Sequence, residues 1–419
     1  MNKKILFSLS FGLIFSITIT FLIYKQFIYP TIIPMVINGG ASLFSDWTVI
    51  LNANLCSEKG FDVFLENPCD QWKRKHVYGE IILNIPLIRS FPKFFFLYLP
   101  ILFGFIFLSV VSYILFHTSF KRYWLSLLIF IFSVPTILVI ERANIDLIIF
   151  VFLFFISKNY NLILNYFLIF IATLVKFYPI ILTTIFVFNK KIYRSFQHIF
   201  LFIAMVSVLL YFQKDSMIKI FDNQEQFTGY GFGLYEFSFL GALKFFYNLN
   251  LSFYNKDYSW LTYIYLIFFV IIPVSILNYK ISFNIRNQFT NFNFSDVSTF
   301  EERLFFLSST IILICYFSFS NFIYREIFFF GLIPLILKYV QENRNSFMNF
   351  FYKILMLKFL ITTISVYIYQ NQLIEFLNAF LIAFKHTIDF YLISLLLSIY
   401  LFLLIKLYKN KFNQVPQKV

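Results

Sequence analysis

Three short polar clusters interrupt an otherwise apolar chain: Glu141-Arg142-Ala143-Asn144-Ile145-Asp146, Lys176-Phe177-Tyr178-Pro179 and Asn321-Phe322-Ile323-Tyr324-Arg325-Glu326. A charged side chain at membrane depth costs about 2.5–3.5 kcal/mol on insertion scales unless it is paired or lines a wet cavity, so such clusters point to function. Arg142, Lys176 and Arg325 are the cations that would hold a phosphate. An Arg guanidinium can clamp one with two parallel hydrogen bonds. Each cation taken singly also fits an interfacial side chain snorkelling to the membrane surface. Glu141, Asn144, Asp146, Tyr178, Asn321, Tyr324 and Glu326 would orient the cations or contact sugar hydroxyls, or make the buried charge tolerable. Asp46, in Phe44-Ser45-Asp46-Trp47, is the candidate general base. A hydroxyl is a poor nucleophile until its proton is accepted, and a positioned carboxylate does that. The same residue also fits a helix cap or a solvated loop position.

The segment from Asn67 to Gly79 mixes aromatic, basic and acidic groups. Asp70, Trp72, Arg74, His76 and Tyr78 would build an acceptor surface there, and an ordinary polar loop collects the same residue types. Cys56 and Cys69 share the first polar loop, while Cys315 lies in an apolar run. In an oxidising compartment the first two are able to pair, although spacing does not decide whether the bond forms. No His, Cys and carboxylate cluster has zinc-ligand spacing. Neither a phosphate-binding Gly loop nor a nucleophile elbow is present. The stretch from Gln224 to Gly233 holds Gly229, Gly231 and Gly233, consistent with a tight loop or a simple turn.

The elements that must position these groups are membrane helices. The 419 residues are 60% hydrophobic and 13% charged, with mean hydropathy +0.78. Soluble domains carry about 25% charged residues, so the composition leaves a polytopic membrane protein as the fitting class. The abundance of Phe and Tyr, beside few Gly and Pro, reads as codon bias and lipid-facing bulk rather than as an aromatic site. The net charge of +14 would suit nucleic acid in a soluble chain. Here Lys and Arg fall mostly between apolar runs, where they set orientation, and no nucleic-acid partner is expected.

The fold expected is all-α and forms a single integral-membrane domain over 1–419 with about twelve spans by the length rule. Their approximate ranges are 5–24, 94–116, 124–140, 145–157, 161–175, 178–189, 197–212, 259–279, 303–319, 326–340, 351–369 and 388–407. The first is an uncleaved helix, since no small-residue cleavage site follows it. A long first extracytoplasmic loop covers 25–93, and a polar stretch near 213–258 holds an interfacial helix around Leu240–Leu249. The positive-inside rule makes 124–157 and 161–189 two hairpins, puts both termini in the cytoplasm and brings the three polar clusters to one outer face. No internal repeat of fixed period is visible.

On these residues the chain resembles the GT-C superfamily of integral-membrane glycosyltransferases, and in particular the bacterial polyprenyl-phosphate-mannose-dependent mannosyltransferases of glycosyltransferase family 87. The similar features are Asp46 in the first outer loop, a Glu-Arg-Gly-Asn-like turn present as Glu141-Arg142-Ala143-Asn144, the Lys176-Phe177-Tyr178-Pro179 turn, and Asn321 with Tyr324-Arg325. Ala143 stands where that family has Gly. The resemblance implies an inverting transfer at the outer face of the plasma membrane, from a polyprenyl-phosphate sugar donor to a glycan or lipid acceptor. Asp46 would be the base, and Arg142, Lys176 and Arg325 would stabilise the phosphate leaving group. No cofactor or metal is implied, since these cations take the divalent ion's part. A transporter or flippase of lipid-linked sugars is the alternative from another class; it predicts polar residues continuing through the helices. A polysaccharide polymerase or ligase is a further one.

Overall fold

Long apolar runs without strict alternation favour helices, because a helix satisfies its own backbone donors and acceptors. The computed structural model describes residues 6, 10–14, 17–18, 44–85, 88–117, 124–188, 192–222, 237–239, 241–242, 299–318, 323–342, 346–370 and 375–413. Among these residues the regular elements are all helical. The expected span at 259–279, nearly all of Leu240–Leu249, the stretch from Gln224 to Gly233, Asn321 and most of 5–24 lie outside the described residues.

The elements are α1 (Ser45–Ser57), α2 (Leu99–His117), α3 (Trp124–Ile131), α4 (Val134–Glu141), α5 (Asp146–Lys158), α6 (Leu162–Val175), α7 (Ile192–Asp222), α8 (Phe300–Phe317), α9 (Ile333–Glu342), α10 (Ser346–Gln370) and α11 (Glu375–Asn413). Glu80–Asn84, Tyr178–Phe188 and Ile323–Leu332 wind as 3-10 helices, and a π turn, Phe94–Tyr98, leads into α2. Among the described residues, four helical stretches are long and apolar enough to cross a membrane: Phe94–Ile114, Gln197–Ile220, Phe347–Val366 and Phe380–Ile405. Leu162–Val175 is a shorter apolar helix.

Several expected runs are divided or extended. The run 124–140 breaks at Ser133, where the Ser133 hydroxyl donates to the Phe130 carbonyl at 2.7 Å. Pro135 lacks the N–H that would continue the ladder, so α4 starts afresh. The run 197–212 does not end before the polar residues but continues as helix to Asp222. The first loop is not loop throughout, since α1 lies inside 25–93 and most of its residues are buried.

The chain forms two compact units. The first comprises 1–122, 134–183 and 193–228 and contains α1, α2 and α4–α6 with nearly all of α7. Its helix α1 is preceded by Phe44 as N-cap, which takes a left-handed backbone conformation at φ 63°. The N–H of Phe44 donates to the Glu141 carbonyl at 2.9 Å, and those of Asp46 and Trp47 donate to the Arg142 carbonyl at 3.1 and 3.3 Å. Orphan donors of a helix start are thereby met by the turn after α4. Gly79 allows a second close approach: a Cβ there would lie 1.8 Å from the Leu174 carbonyl oxygen of α6.

The second unit comprises 123–133, 184–192 and 229–419. Its helix α8 opens on a capping box, with the Thr299 hydroxyl accepting from the Glu302 N–H at 3.3 Å and the Glu302 carboxylate accepting from the Thr299 N–H at 3.0 Å. The interior is aromatic, as in the edge-to-face pair Phe130–Phe359 at 4.7 Å between ring centroids.

Candidate functional site

Asp46 lies in the first turn of α1, where a carboxylate suits the positive end of the helix dipole. The backbone bonds that start α1 place it against the Glu141–Asp146 turn. Its Oδ1 accepts from Arg142 Nη1 at 3.1 Å and its Oδ2 from Asn144 Nδ2 at 2.7 Å. Ala143, in the bend between those two donors, has φ 47°, a left-handed conformation that favours glycine.

Asn144 passes the network on. Its Oδ1 accepts from Lys176 Nζ at 2.8 Å and from the Asp146 N–H at 3.0 Å, so the orientation of the amide is fixed by its three partners. Asp146 Oδ1 then accepts from Lys176 Nζ at 2.6 Å and from Tyr178 Oη at 2.7 Å. Lys176 is extended at the end of α6 and Tyr178 opens the 3-10 helix that follows, so both side chains reach the same Asp146 oxygen from the turn between the two elements. Lys176, expected as a phosphate cation, is thus ion-paired and buried, with the Tyr78 ring 5.4 Å from its Nζ.

The segment expected to form an acceptor surface folds differently. Asp70 is buried and holds the Arg74 guanidinium through both oxygens, Nε to Oδ2 and Nη2 to Oδ1, each at 3.0 Å. Arg74 Nη2 also donates to the Ser45 carbonyl at 2.9 Å, and Nη1 stands 3.7 Å from Asp46 Oδ1. Arg74 is therefore a site residue, stacked over the half-buried Trp72 at 4.4 Å. The Arg74 and Arg142 side chains keep 26% and 20% of their surface exposed, against 10% for Asp46, so the network is open at its guanidinium end. Glu141 is fully buried and contributes its backbone carbonyl to the start of α1. Cys56 and Cys69 are joined in a disulfide.

His76 and Tyr78 are buried too. The His76 ring lies between Phe64 and Tyr78 at 5.3 and 5.7 Å, and burial pushes its imidazole down to about 4. The unfolded chain then binds the extra proton between pH 4 and the ordinary value of about 6.5, so stability from neutral His76 is complete above pH 6.5 and is lost as pH falls towards 4. The loss amounts to about 3 kcal/mol at 1.36 kcal/mol per pH unit. Thermal melting from pH 8 to 4 should show a midpoint that drops below pH 6.5. His76→Gln, neutral throughout, should shrink that dependence.

In the second unit, Tyr324 is buried and Arg325 Nη1 lies 3.8 Å from Cys315 Sγ. Glu326, expected near sugar or cation, is spent on Lys358, with Nζ to Oε1 at 2.8 Å. Lys358 also pairs with Asp389, which in turn takes Lys385 Nζ at 3.3 Å. All four side chains are buried. Sequence reasoning missed Lys358, Lys385 and Asp389, whose signal is one or two charges inside a long apolar run. They also alter the expectation that polar groups stop at the helix ends, because they lie within the stretches Phe347–Val366 and Phe380–Ile405. No group of His, Cys, Asp and Glu able to hold a metal occurs among the described residues.

Compared with protein-family models, curated proteins and solved structures, the chain gives no match.

Proposed function

We propose that this chain is a GT-C-like membrane glycosyltransferase that moves a mannose-like sugar from a polyprenyl-phosphate donor to a glycan or lipid hydroxyl, with inversion, on the extracytoplasmic face. The observation that carries the reading is the Asp46 carboxylate, held by Arg142 and Asn144 and faced by Arg74 at the exposed end of the first unit's network. The resemblance in the same turns supplies the reaction class.

In this mechanism the acceptor oxygen attacks the anomeric carbon and its proton passes to Asp46. The bond between that carbon and the phosphate oxygen breaks, and the electron pair leaves with polyprenyl phosphate. Asp46 and the departing phosphate compete for the same guanidinium. As Asp46 takes the proton its hold on Arg142 weakens, at the moment when charge grows on the phosphate. Lys176 acts indirectly. With Tyr178 it fixes Asp146 and Asn144, and Asn144 fixes Asp46. Arg325 belongs to the second unit and carries no step here.

Two substitutions separate these roles. Arg142→Ala should weaken binding of a polyprenyl-phosphate analogue by about 1.5–3 kcal/mol, the worth of a charge-assisted hydrogen bond. Lys176→Met should instead destabilise the protein by about 3–5 kcal/mol, because it leaves Asp146 buried without its cation. Equilibrium binding in nanodiscs and thermal melting read the two effects. Unchanged affinity in Arg142→Ala would remove the phosphate assignment.

The second reading, a transporter of lipid-linked saccharides, is favoured by the charged residues within apolar helices, Lys358, Lys385 and Asp389. It predicts donor binding without release of polyprenyl phosphate.

A further inference from the structure

The Cys56–Cys69 disulfide lies at the opposite end of α1 from Asp46. The two ends are ten residues apart, about 15 Å at 1.5 Å per residue, so the bond has no direct contact with the chemistry. What links them is the segment 58–76, which leaves the C-terminal end of α1 and comes back to its N-terminal end. Cys69 immediately precedes Asp70, and Asp70 organises the whole return. It accepts from the N–H groups of Trp72 and Arg74, both at 3.1 Å, and holds the Arg74 guanidinium through both oxygens. Asn67 ties the same turn from the other side, its Nδ2 donating to the Arg74 carbonyl at 3.0 Å. The N–H of His76 donates to the Val63 carbonyl at 2.8 Å. Both cysteines sit in an apolar cluster with Val63, Phe64, Leu83, Ile220 and Phe177. The product of this scaffold is one guanidinium, delivered onto the Ser45 carbonyl and the Asp46 carboxylate.

We propose that the Cys56–Cys69 disulfide is a positioning element of the site, acting through Asp70 and Arg74 on Asp46. It rests on the glycosyltransferase reading for its effect on turnover, while its effect on the position of Arg74 stands independently. Full activity of the site then requires oxidation of this cysteine pair. A dithiol that reduces the bond delivers two electrons and two protons, leaves two thiols, and is itself oxidised to a disulfide.

The test uses the full chain in nanodiscs, oxidised and after treatment with dithiothreitol, alongside Cys56→Ser/Cys69→Ser. Reduction frees residue 69, so amide hydrogen exchange over 70–76 should accelerate in the reduced wild type and in the double variant. Unchanged exchange over 70–76 overturns the proposal, whatever the protein turns over. The second arm measures release of polyprenyl phosphate from polyprenyl-phosphate mannose, glucose and arabinose. Losing a partly exposed ion pair 3.7 Å from the reacting carboxylate corresponds to a loss of kcat of up to about fivefold. Reduction of the wild type should show that loss, and oxidised Arg74→Ala should show it too. Reduced Arg74→Ala should lose nothing further. Arg74→Lys should recover only part, since Lys lacks the planar fork that meets Asp70 and Ser45 together. A loss on reduction of the same size in Arg74→Ala as in the wild type would show that the bond supports the fold generally, and would overturn the role of Arg74. If the wild type releases no polyprenyl phosphate from any donor, the glycosyltransferase reading fails and the exchange arm alone decides the positioning role.

Discussion

Asp46→Asn should lower sugar transfer by about 10²–10⁴-fold, the usual contribution of a general base. The size follows because a carboxamide does not take up a proton near neutral pH; the hydrogen bonds at the same position add an effect on stability. Asp46 accepts with both oxygens, one from Arg142 and one from Asn144, and an Asn side chain offers a single acceptor. The Asn144 amide cannot turn to compensate, because its own oxygen is committed to Lys176 and the Asp146 N–H. An NH2 group of residue 46 would therefore face another donor whichever way it turned. The mismatch should cost about 1–3 kcal/mol of stability, the penalty of a buried unmet group. Loss of activity with a melting shift of that size, and with the Cys56–Cys69 bond intact, is the expected pair of results. Asp46→Glu keeps the carboxylate but displaces it, and a shift of about 1 Å at a reacting group can cost on the order of 10²-fold. Near-normal turnover in Asp46→Asn would remove Asp46 from the chemistry.

The second large effect is on the fold. Lys358→Met should destabilise the second unit by about 3–5 kcal/mol, because it leaves buried carboxylates short of their cation. Glu326 and Asp389 both pair with Lys358, and Asp389 pairs with Lys385 as well. Against a typical total stability of about 5–15 kcal/mol, that loss is large. The variant should melt well below the wild type in size-exclusion assays of detergent-solubilised protein. Adding Glu326→Gln should restore part of the loss, since it removes one of the two carboxylates that paired with Lys358. An unchanged melting point in Lys358→Met would show that the network contributes little.

Much of the first unit's site is legible in the sequence because its residues break apolar runs. Asp46, Arg142, Asn144, Lys176, Asp146 and Tyr178 do converge in one network. Sequence does not show which charges are consumed. Lys176 looks like a free cation until Asp146 is placed 2.6 Å away, and that pairing depends on how α6 ends beside the start of α5. Arg74 reads as part of a loop surface because nothing local reveals that Asp70 turns it back onto α1. Hydropathy also blurs helix type. Tyr178–Phe188 and Ile323–Leu332 are apolar enough to read as spans, yet they wind as 3-10 helix. Single charges such as Lys358 and Asp389 vanish when averaged over a long apolar window, which hides the second unit's network from a hydropathy reading.

The most direct measurement is a donor screen on purified protein in nanodiscs, with radiolabelled polyprenyl-phosphate mannose, glucose and arabinose and a membrane-lipid extract as acceptor source. Wild type and Asp46→Asn would be compared for release of polyprenyl phosphate. Release from one of these donors by the wild type, and its loss in Asp46→Asn, is the expected outcome for a glycosyltransferase. Donor binding with no release by the wild type would contradict that function and favour a transporter.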